Sequence, residues 1–295
     1  MSDVPTIGLF EDKLVKASLS LLLLVFSATS FGSDRTHNGN TEFTATSQML
    51  ISDWSDQKEL DRVWQASIVM IPLVSGKLLE STINGLDSSV FQHKKYPTVI
   101  LLHGCGGVWK ETYRRMEIFA INGFAVITPV SFARKKYPKS CDVISKTAGL
   151  YRGIVSLRKN DVSYAIRHAR ELLWVDNDNI FLIGHSEGAV IAATFDDPES
   201  PVNARVVESW TCDASWSEYG GINAPIDEPV LTLLAEHDPW FNNPWNTGSC
   251  ERYIDTTNGS KSIVFTQAGI RDQHGLLGLE IVQEIVLKFL NHHRK

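Results

Sequence analysis

The pentapeptide Gly184-His185-Ser186-Glu187-Gly188 places a serine between an apolar run typical of a strand and a run of small residues compatible with a helix. A serine in a sharp strand-to-helix turn exposes its hydroxyl, and the backbone N–H groups that follow it are free at the helix N-terminus. The glycines keep side chains out of a turn in which a Cβ atom would collide with its neighbours. The same residue types also occur in plain turns, but this context indicates a nucleophilic serine.

A serine hydroxyl becomes an effective nucleophile when a base removes its proton, and an imidazole does this near neutral pH. His274 follows the last predicted strand and precedes the last predicted helix, and Asp238 follows the apolar run 230–235. A buried carboxylate fixes the tautomer of such an imidazole and stabilises its charged form. The sequence therefore predicts a catalytic triad of Ser186, Asp238 and His274.

Other residues compete for two of these three roles. A rival carboxylate lies just before Asp238, and another shares a loop with His274, where it is badly placed to reach the far ring nitrogen. The rival imidazoles lie beside Asp238 or in the C-terminal tail. The rival acids are Glu236 and Asp272, and the rival bases are His237, His292 and His293.

The glycine-rich segment His103-Gly104-Cys105-Gly106-Gly107 follows the continuous apolar run 98–102. Glycines let the backbone approach a substrate closely, so the backbone N–H of Cys105 is predicted to pair with that of Glu187 in an oxyanion hole. His103 is interpreted as a residue that holds this loop. Cys105 is an alternative nucleophile to Ser186, but it lacks the sharp strand-to-helix turn expected of one. A phosphate-binding loop is disfavoured because the Walker lysine and the GxGxxG spacing are missing.

The elements that must position these groups alternate between strands and helices from about residue 67 to residue 290. This alternation predicts an α/β fold, in which a mainly parallel sheet is covered by helices on both faces. Ligands bind at the carboxyl ends of the strands in such sheets, where all the candidate residues lie. The closing helix is expected over 276–290, with Leu277, Ile281, Ile285 and Phe289 on one face. No insertion is large enough for a cap domain, but the loops 131–153 and 239–260 are long enough to cover the site.

The N-terminal part of the chain predicts export. The apolar run 17–28 follows Lys13 and Lys16, so residues 1–32 are interpreted as a signal peptide, with an N-terminal anchor as the alternative. Residues 33–50 are polar and predicted to be disordered, and residues 51–295 form the folded domain. Four cysteines without a CxxC pair suit disulfides in an oxidising compartment better than a zinc site. The net charge of −6 argues against a nucleic-acid partner.

Taken together, these motifs resemble the α/β-hydrolase superfamily, and within it the exported branch of the dienelactone hydrolase family. The resemblance covers residues 68–290 and rests on the segments 102–107, 184–188, 236–238 and 274–275. It implies an α/β-hydrolase fold of about eight strands without a large cap domain. It also implies a periplasmic or secreted serine hydrolase that cleaves a small carboxylic ester, needs no cofactor or metal, and contacts no membrane beyond its leader.

In similar exported proteins two cysteine pairs hold the loops that carry the site, which implies the disulfides Cys105–Cys141 and Cys212–Cys250. Closing loops of this length stabilises a fold by about 3–4 kcal/mol in the chain-entropy model. The chain departs from the family at two positions. Ser186 stands where dienelactone hydrolases proper have a cysteine, and Val130 stands where relatives carry an aspartate, which suggests a changed pocket wall.

Two other functions remain open at this point. Peptidases share the fold, although the chain lacks the propeller or large cap of the oligopeptidase type. A binding protein without catalytic activity is the alternative from another class, and the complete set of site residues disfavours it. Tryptophans near the predicted site loops suggest an apolar or aromatic substrate, although packing is the more common reason for tryptophan. They are Trp109, Trp216, Trp240 and Trp245.

Overall fold

The continuous apolar runs of the sequence form one eight-stranded sheet in the computed structural model, which describes residues 42–87, 91, 94–241, 246 and 248–295. The order across the sheet is β2-β1-β4-β3-β7-β8-β9-β10. Its strands are β1 (Ile68–Pro72), β2 (Leu78–Thr82), β3 (Tyr96–Leu102), β4 (Ala125–Thr128), β7 (Val175–His185), β8 (Ala204–Glu208), β9 (Val230–Ala235) and β10 (Lys261–Phe265).

The sheet is mainly parallel, as the sequence predicts. The six strands from β4 to β10 in this order pair in parallel, and β1 pairs antiparallel with both β2 and β4. All seven residues of β3 are buried, because helices cover both faces of the sheet. A separate hairpin, β5 (Cys141–Asp142) with β6 (Thr147–Ala148), lies in the predicted loop 131–153.

In the described part of the chain, six helices accompany the sheet: α1 (Ile51–Trp54), α2 (Gln57–Ala66), α3 (Lys110–Ile121), α4 (Ile154–Ala169), α5 (Glu187–Thr194) and α6 (Glu280–His292). Helix α4 packs against both α2 and α5, whereas α3 and α6 both contact the 3₁₀ turn Leu276–Gly278. No cap domain is inserted in the part of the chain that the structure describes.

The closing helix differs from the prediction in its register. It begins at Glu280, because residues 276–278 form a 3₁₀ turn that precedes it. Its buried face consists of Val282, Val286, Phe289 and Leu290, whereas Ile281 is 55% exposed. The predicted stripe through Ile281 was therefore wrong, since it counted Leu277 as part of the same helix.

The predicted leader, residues 1–32, and the first half of the segment 33–50, up to residue 41, lie outside the described residues. The described chain begins with an extended segment in which Thr44 forms a bridge with Pro138. Within the described ranges, none of the helices has the length and apolar character needed to span a bilayer.

Candidate active site

The turn around Ser186 joins β7 to α5 in a strained conformation. Ser186 is the N-cap of α5 and has a φ of 58°, a left-handed value that residues other than glycine rarely adopt. A Cβ atom on Gly184 would lie 2.0 Å from the carbonyl oxygen of Gly188, and one on Gly188 would lie 2.4 Å from that of Leu102. Glycine is therefore required at both positions, in agreement with the sequence pattern. Non-glycine residues with this backbone conformation cluster at functional sites.

The imidazole ring of His274 is hydrogen-bonded to both carboxylate oxygens of Asp238. The Nδ1 atom of His274 lies 2.9 Å from Oδ1 and 2.8 Å from Oδ2 of Asp238. Asp238 is only 1% exposed, and its Oδ1 also accepts a hydrogen bond from the backbone N–H of Trp240. Because an ionised carboxylate only accepts hydrogen bonds, the proton of the neutral imidazole is on Nδ1. The lone pair of Nε2 is then available to a second partner.

The main chain of His274 is anchored to the ends of two strands. Its carbonyl oxygen accepts hydrogen bonds from the hydroxyl of Ser209 and from Nε2 of His185, at 2.5 and 3.2 Å. Burial, together with the nearby charge of Arg115, lowers the pKa of His185 to about 3. His185 is therefore neutral near physiological pH, and its single proton is the one donated to His274. The loop that carries His274 is thus fixed relative to Ser186.

Ser186 and His274 line the same cavity, which has a volume of about 280 Å³. The glycine-rich loop forms another wall, and a Cβ atom on Gly104 would lie 3.4 Å from the Cβ of Ser186. Asp238 lies buried behind His274. The structure therefore brings the residues of the predicted triad together at the carboxyl ends of the strands.

Two residues beside Ser186 have backbone N–H groups that are not bonded elsewhere among the described residues. Those of Cys105 and Glu187 donate to no other group within the described ranges, and both residues line a narrow space of about 30 Å³ together with Ser186. The buried guanidinium of Arg158 joins the two segments: it donates to the Glu187 carboxylate at 2.9 Å and to the carbonyl oxygen of His103 at 2.7 Å. Arg158 thus couples the position of the glycine-rich loop to that of α5.

The rival acids and bases lie away from this cavity. Glu236 and Asp272 are exposed, and the half-exposed side chain of His237 sits between them, at 3.6 and 3.4 Å. His292 and His293 lie at the end of α6. None of these five residues lines the cavity that contains Ser186.

His103 is buried inside the loop that it was predicted to hold. Its Nδ1 donates to the carbonyl oxygen of Gly104 at 2.7 Å, and its ring packs edge-on against Phe132. Burial and the charge of Arg158 lower the pKa of His103 well below its usual value, so the ring is neutral. His103 lines none of the cavities around Ser186.

A buried ion pair beside the site was not found by sequence reasoning. Arg115 of α3 donates to both carboxylate oxygens of Glu208, at 2.9 and 2.8 Å, although the two residues are 93 positions apart. The backbone oxygen of Glu208 accepts from the N–H of Ser186, and its carboxylate accepts from the N–H of Leu277. Glu208 therefore connects the turn at Ser186 with the loop that carries His274.

This ion pair predicts a loss of stability in acid. Burial alone raises the pKa of Glu208, but Arg115 and the hydrogen bonds outweigh it and hold the pKa at about 2. A glutamate in the unfolded chain titrates at about 4.3, so the unfolded state takes up the proton first. The stabilisation is complete above about pH 4.3 and is lost as the pH falls towards 2.

Urea unfolding at a series of pH values measures this effect. We expect Glu208→Gln to be less stable than the wild type near neutral pH and to lose less stability across the acid window. An identical acid slope in the two proteins would contradict the assignment to Glu208.

The two disulfides implied by the resemblance are confirmed. Cys105–Cys141 joins the glycine-rich loop to β5, and Cys212–Cys250 joins the segment after β8 to the loop before β10. Cys105 lines the cavity that contains Ser186, whereas the segment around Cys212 borders a neighbouring cavity through Trp210 and Trp216. Two disulfides are consistent with an extracellular or periplasmic protein.

We expect alkylation of the unfolded, unreduced protein to modify none of the four cysteines, because none is free. After reduction, all four should be alkylated, and the mass of the intact protein reports both results. Alkylation before reduction at any of these positions would show that the corresponding bridge does not form.

Three of the four tryptophans expected near the site line its cavities. Trp109 and Trp240 border the cavity that contains Ser186, and Trp216 borders a neighbouring cavity. Trp245 lies outside the described residues. Val130, expected in a changed pocket wall, is instead buried in the hydrophobic core and lines none of these cavities.

Known proteins similar to the chain extend these observations. The sequence model described as the dienelactone hydrolase family matches residues 86–265, a stretch that includes Ser186 and Asp238 and ends before His274. No curated protein is significantly similar in sequence to this chain.

Among solved structures, the chain is similar to a dienelactone hydrolase-like promiscuous phosphotriesterase from metagenomic libraries, with 15% identity over 77% of this chain and 98% of that one, and a TM-score of 0.47. It is similar to esterase 2 of Thermogutta terrifontis, with 14% identity, coverage of 77% and 88%, and a TM-score of 0.46. A hyperthermophilic esterase from Pyrobaculum calidifontis gives 18% identity, coverage of 80% and 88%, and a TM-score of 0.43.

The mainly parallel sheet with helices on both faces is the α/β-hydrolase fold that the resemblance implied. The family match spans well over half of the 295 residues. The chain belongs to the dienelactone hydrolase family.

Proposed function

We propose that the protein is an exported serine esterase in which Ser186, His274 and Asp238 form the catalytic triad. The observation that carries the proposal is the placement of His274, whose Nδ1 is bonded to the buried carboxylate of Asp238 while its ring borders the cavity that Ser186 also lines. An imidazole oriented in this way acts as a base through Nε2. The protein then needs no cofactor for ester cleavage.

In the first step, the Ser186 oxygen attacks the carbonyl carbon of the ester, and its proton passes to Nε2 of His274. The charge that develops on the carbonyl oxygen is stabilised by the backbone N–H groups of Cys105 and Glu187. His274 then returns the proton to the departing alcohol, which leaves an acyl-enzyme. Water, activated by the same imidazole, hydrolyses the acyl-enzyme and regenerates the free hydroxyl.

Export is supported by the apolar leader in the sequence and by the two disulfides. Disulfides persist in the periplasm and outside the cell, whereas the cytosol keeps thiols reduced. The substrate of such an esterase is a small molecule that reaches the site from outside the cytoplasm.

A fluorophosphonate probe tests the proposal, because it reacts covalently with activated serines. We expect one label per chain, on the peptide that contains Ser186, and a loss of p-nitrophenyl acetate hydrolysis in proportion to labelling. Protein unfolded in urea after reduction should not react. A folded protein that is not labelled, or that is labelled at another serine and stays active, would overturn the proposal.

A further inference from the structure

A cavity of about 450 Å³ lies beside the one that contains Ser186 and His274. We call it the aromatic chamber, because five aromatic side chains line it. Trp210 meets Phe241 edge to face, with ring centroids 5.5 Å apart, and Trp216 meets Tyr219 in the same way at 5.4 Å. The fifth ring is that of Trp240. Rings that hold one another in this manner form walls of fixed shape.

The narrow space of about 30 Å³ next to Ser186 connects these two cavities. It shares Trp210 and Tyr219 with the aromatic chamber, and it shares Cys105 and Ser186 with the catalytic cavity. A substrate whose carbonyl group is held at Ser186 can therefore extend one limb into the aromatic chamber.

The position of His274 decides which limb this is. His274 lines the catalytic cavity but neither the aromatic chamber nor the narrow space. Because His274 must donate a proton to the departing alcohol, the alcohol limb lies on its side, in the catalytic cavity. The acyl limb then points the other way, past Glu187 and into the aromatic chamber.

Two side chains that line the aromatic chamber also carry polar atoms without partners. The indole N–H of Trp210 and the hydroxyl of Tyr219 are buried, and within the described ranges neither has a hydrogen-bond partner. Burial raises the pKa of Tyr219 well above its usual value, so its hydroxyl keeps its proton and can both donate and accept. A plain alkyl chain leaves both groups unpaired, whereas an oxygen substituent on an aromatic ring can pair with them.

We infer that the aromatic chamber is the acyl-binding site and that its ligand is a hydroxylated aromatic acyl group. This inference rests on the proposed function, since it assumes that Ser186 attacks an ester. It names the substrate class as esters of hydroxyaryl carboxylic acids. The flat rings of such acids stack on, or meet the edges of, the rings that line the chamber.

Esters that share one leaving group test the inference. We compare kcat/KM for the p-nitrophenyl esters of hexanoic, phenylpropanoic and p-hydroxyphenylpropanoic acids. The expected order rises from the first to the third, with about tenfold or more between the extremes. A preference for the hexanoate over both aryl esters would overturn the inference.

Two variants probe the chamber, and one serves as a matched control. Trp216→Ala should reduce the ratio of aryl to hexanoyl activity by about tenfold, because it removes one wall. Tyr219→Phe should remove the preference for the hydroxylated ring, and an undiminished preference would overturn the role of the hydroxyl. The control is Trp109→Ala, which alters the catalytic cavity instead. It should change the rates of all three esters by the same factor.

Fluorophosphonate labelling distinguishes a failure of the inferred acyl-binding site from a failure of the proposed esterase function. A protein that is labelled at Ser186 but shows no preference for aryl esters would overturn only the inference about the acyl group. A protein that is not labelled would remove the proposed esterase function itself.

Discussion

Ser186→Ala is expected to lower kcat for p-nitrophenyl acetate by roughly 10⁴- to 10⁶-fold, since it removes the nucleophile and leaves only substrate binding and the oxyanion hole. His274→Ala should cause a loss of similar size, because the hydroxyl of Ser186 is then no longer deprotonated. The double variant should be no slower than either single variant. Residues that act as one unit lose their joint contribution with the first substitution.

Steady-state kinetics on the purified variants, with circular dichroism as a check on folding, measure these losses. His237→Ala is the matched control, because His237 adjoins Asp238 in the chain but is exposed and borders no cavity around Ser186. It should retain activity close to that of the wild type. If the losses in the double variant multiplied instead, Ser186 and His274 would act independently and the triad would be wrong.

Much of the sheet follows from the sequence because buried parallel strands are unbroken apolar runs. Strand β3 illustrates this, since all seven of its residues are buried and the four from Val99 to Leu102 are apolar without interruption. The turn at Ser186 was equally predictable, because a Cβ atom at either of its glycines would collide with nearby backbone atoms. Ser186 was therefore predicted from a local pattern, whereas Asp238 and His274 were predicted from their positions after later strands.

Helix α2, which precedes the sheet, was missed although its buried apolar residues have the i, i+3, i+4 spacing of an amphipathic helix. Helix α2 buries only Leu60, Val63 and Trp64, and most of its other side chains are exposed and polar. Its N-cap was also visible in the sequence, where Asp56 precedes Glu59 by three residues. In the structure, Asp56 accepts hydrogen bonds from the backbone N–H groups of Lys58 and Glu59. An aspartate followed three residues later by a glutamate is a typical helix start. The short hairpin of β5 and β6 has no comparable local signal.

The buried ion pairs could not be predicted from local patterns at all. The partners in Arg158–Glu187, Arg115–Glu208 and Arg205–Glu228 are 29, 93 and 23 positions apart, so no spacing rule links them. Buried arginine side chains also look like ordinary surface charges in a helical or strand pattern. Only the folded chain shows that two of these pairs support the residues around Ser186.

Arg158→Met is expected to destabilise the fold by about 3–5 kcal/mol, because it leaves the Glu187 carboxylate buried without a partner. The side chain of Arg158 is 2% exposed and that of Glu187 is 6% exposed, so water cannot replace the lost partner. The substitution should also lower kcat by about 10²-fold, since the N–H groups of Cys105 and Glu187 lose their common support. Urea unfolding and ester hydrolysis measure the two effects.

Arg167→Met on the same helix is the matched control. Arg167 forms an ion pair with Asp197 at 3.2 Å, but its side chain is 48% exposed. Exposed pairs contribute about 1 kcal/mol or less, so this variant should remain stable and active. If Arg158→Met were no more damaging than Arg167→Met, the buried pair would be irrelevant to both stability and the site.

Combining Arg158→Met with Glu187→Leu separates the two roles of Arg158. Removing both charges leaves no unpaired ion, so part of the lost stability should return. Activity should not return with it, because the hydrogen bond from Arg158 to the carbonyl oxygen of His103 is still missing. Recovery of both properties together would mean that Arg158 only neutralises Glu187. Recovery of stability alone would identify Arg158 as a positioning residue, which holds the glycine-rich loop at the distance from Ser186 that ester cleavage requires.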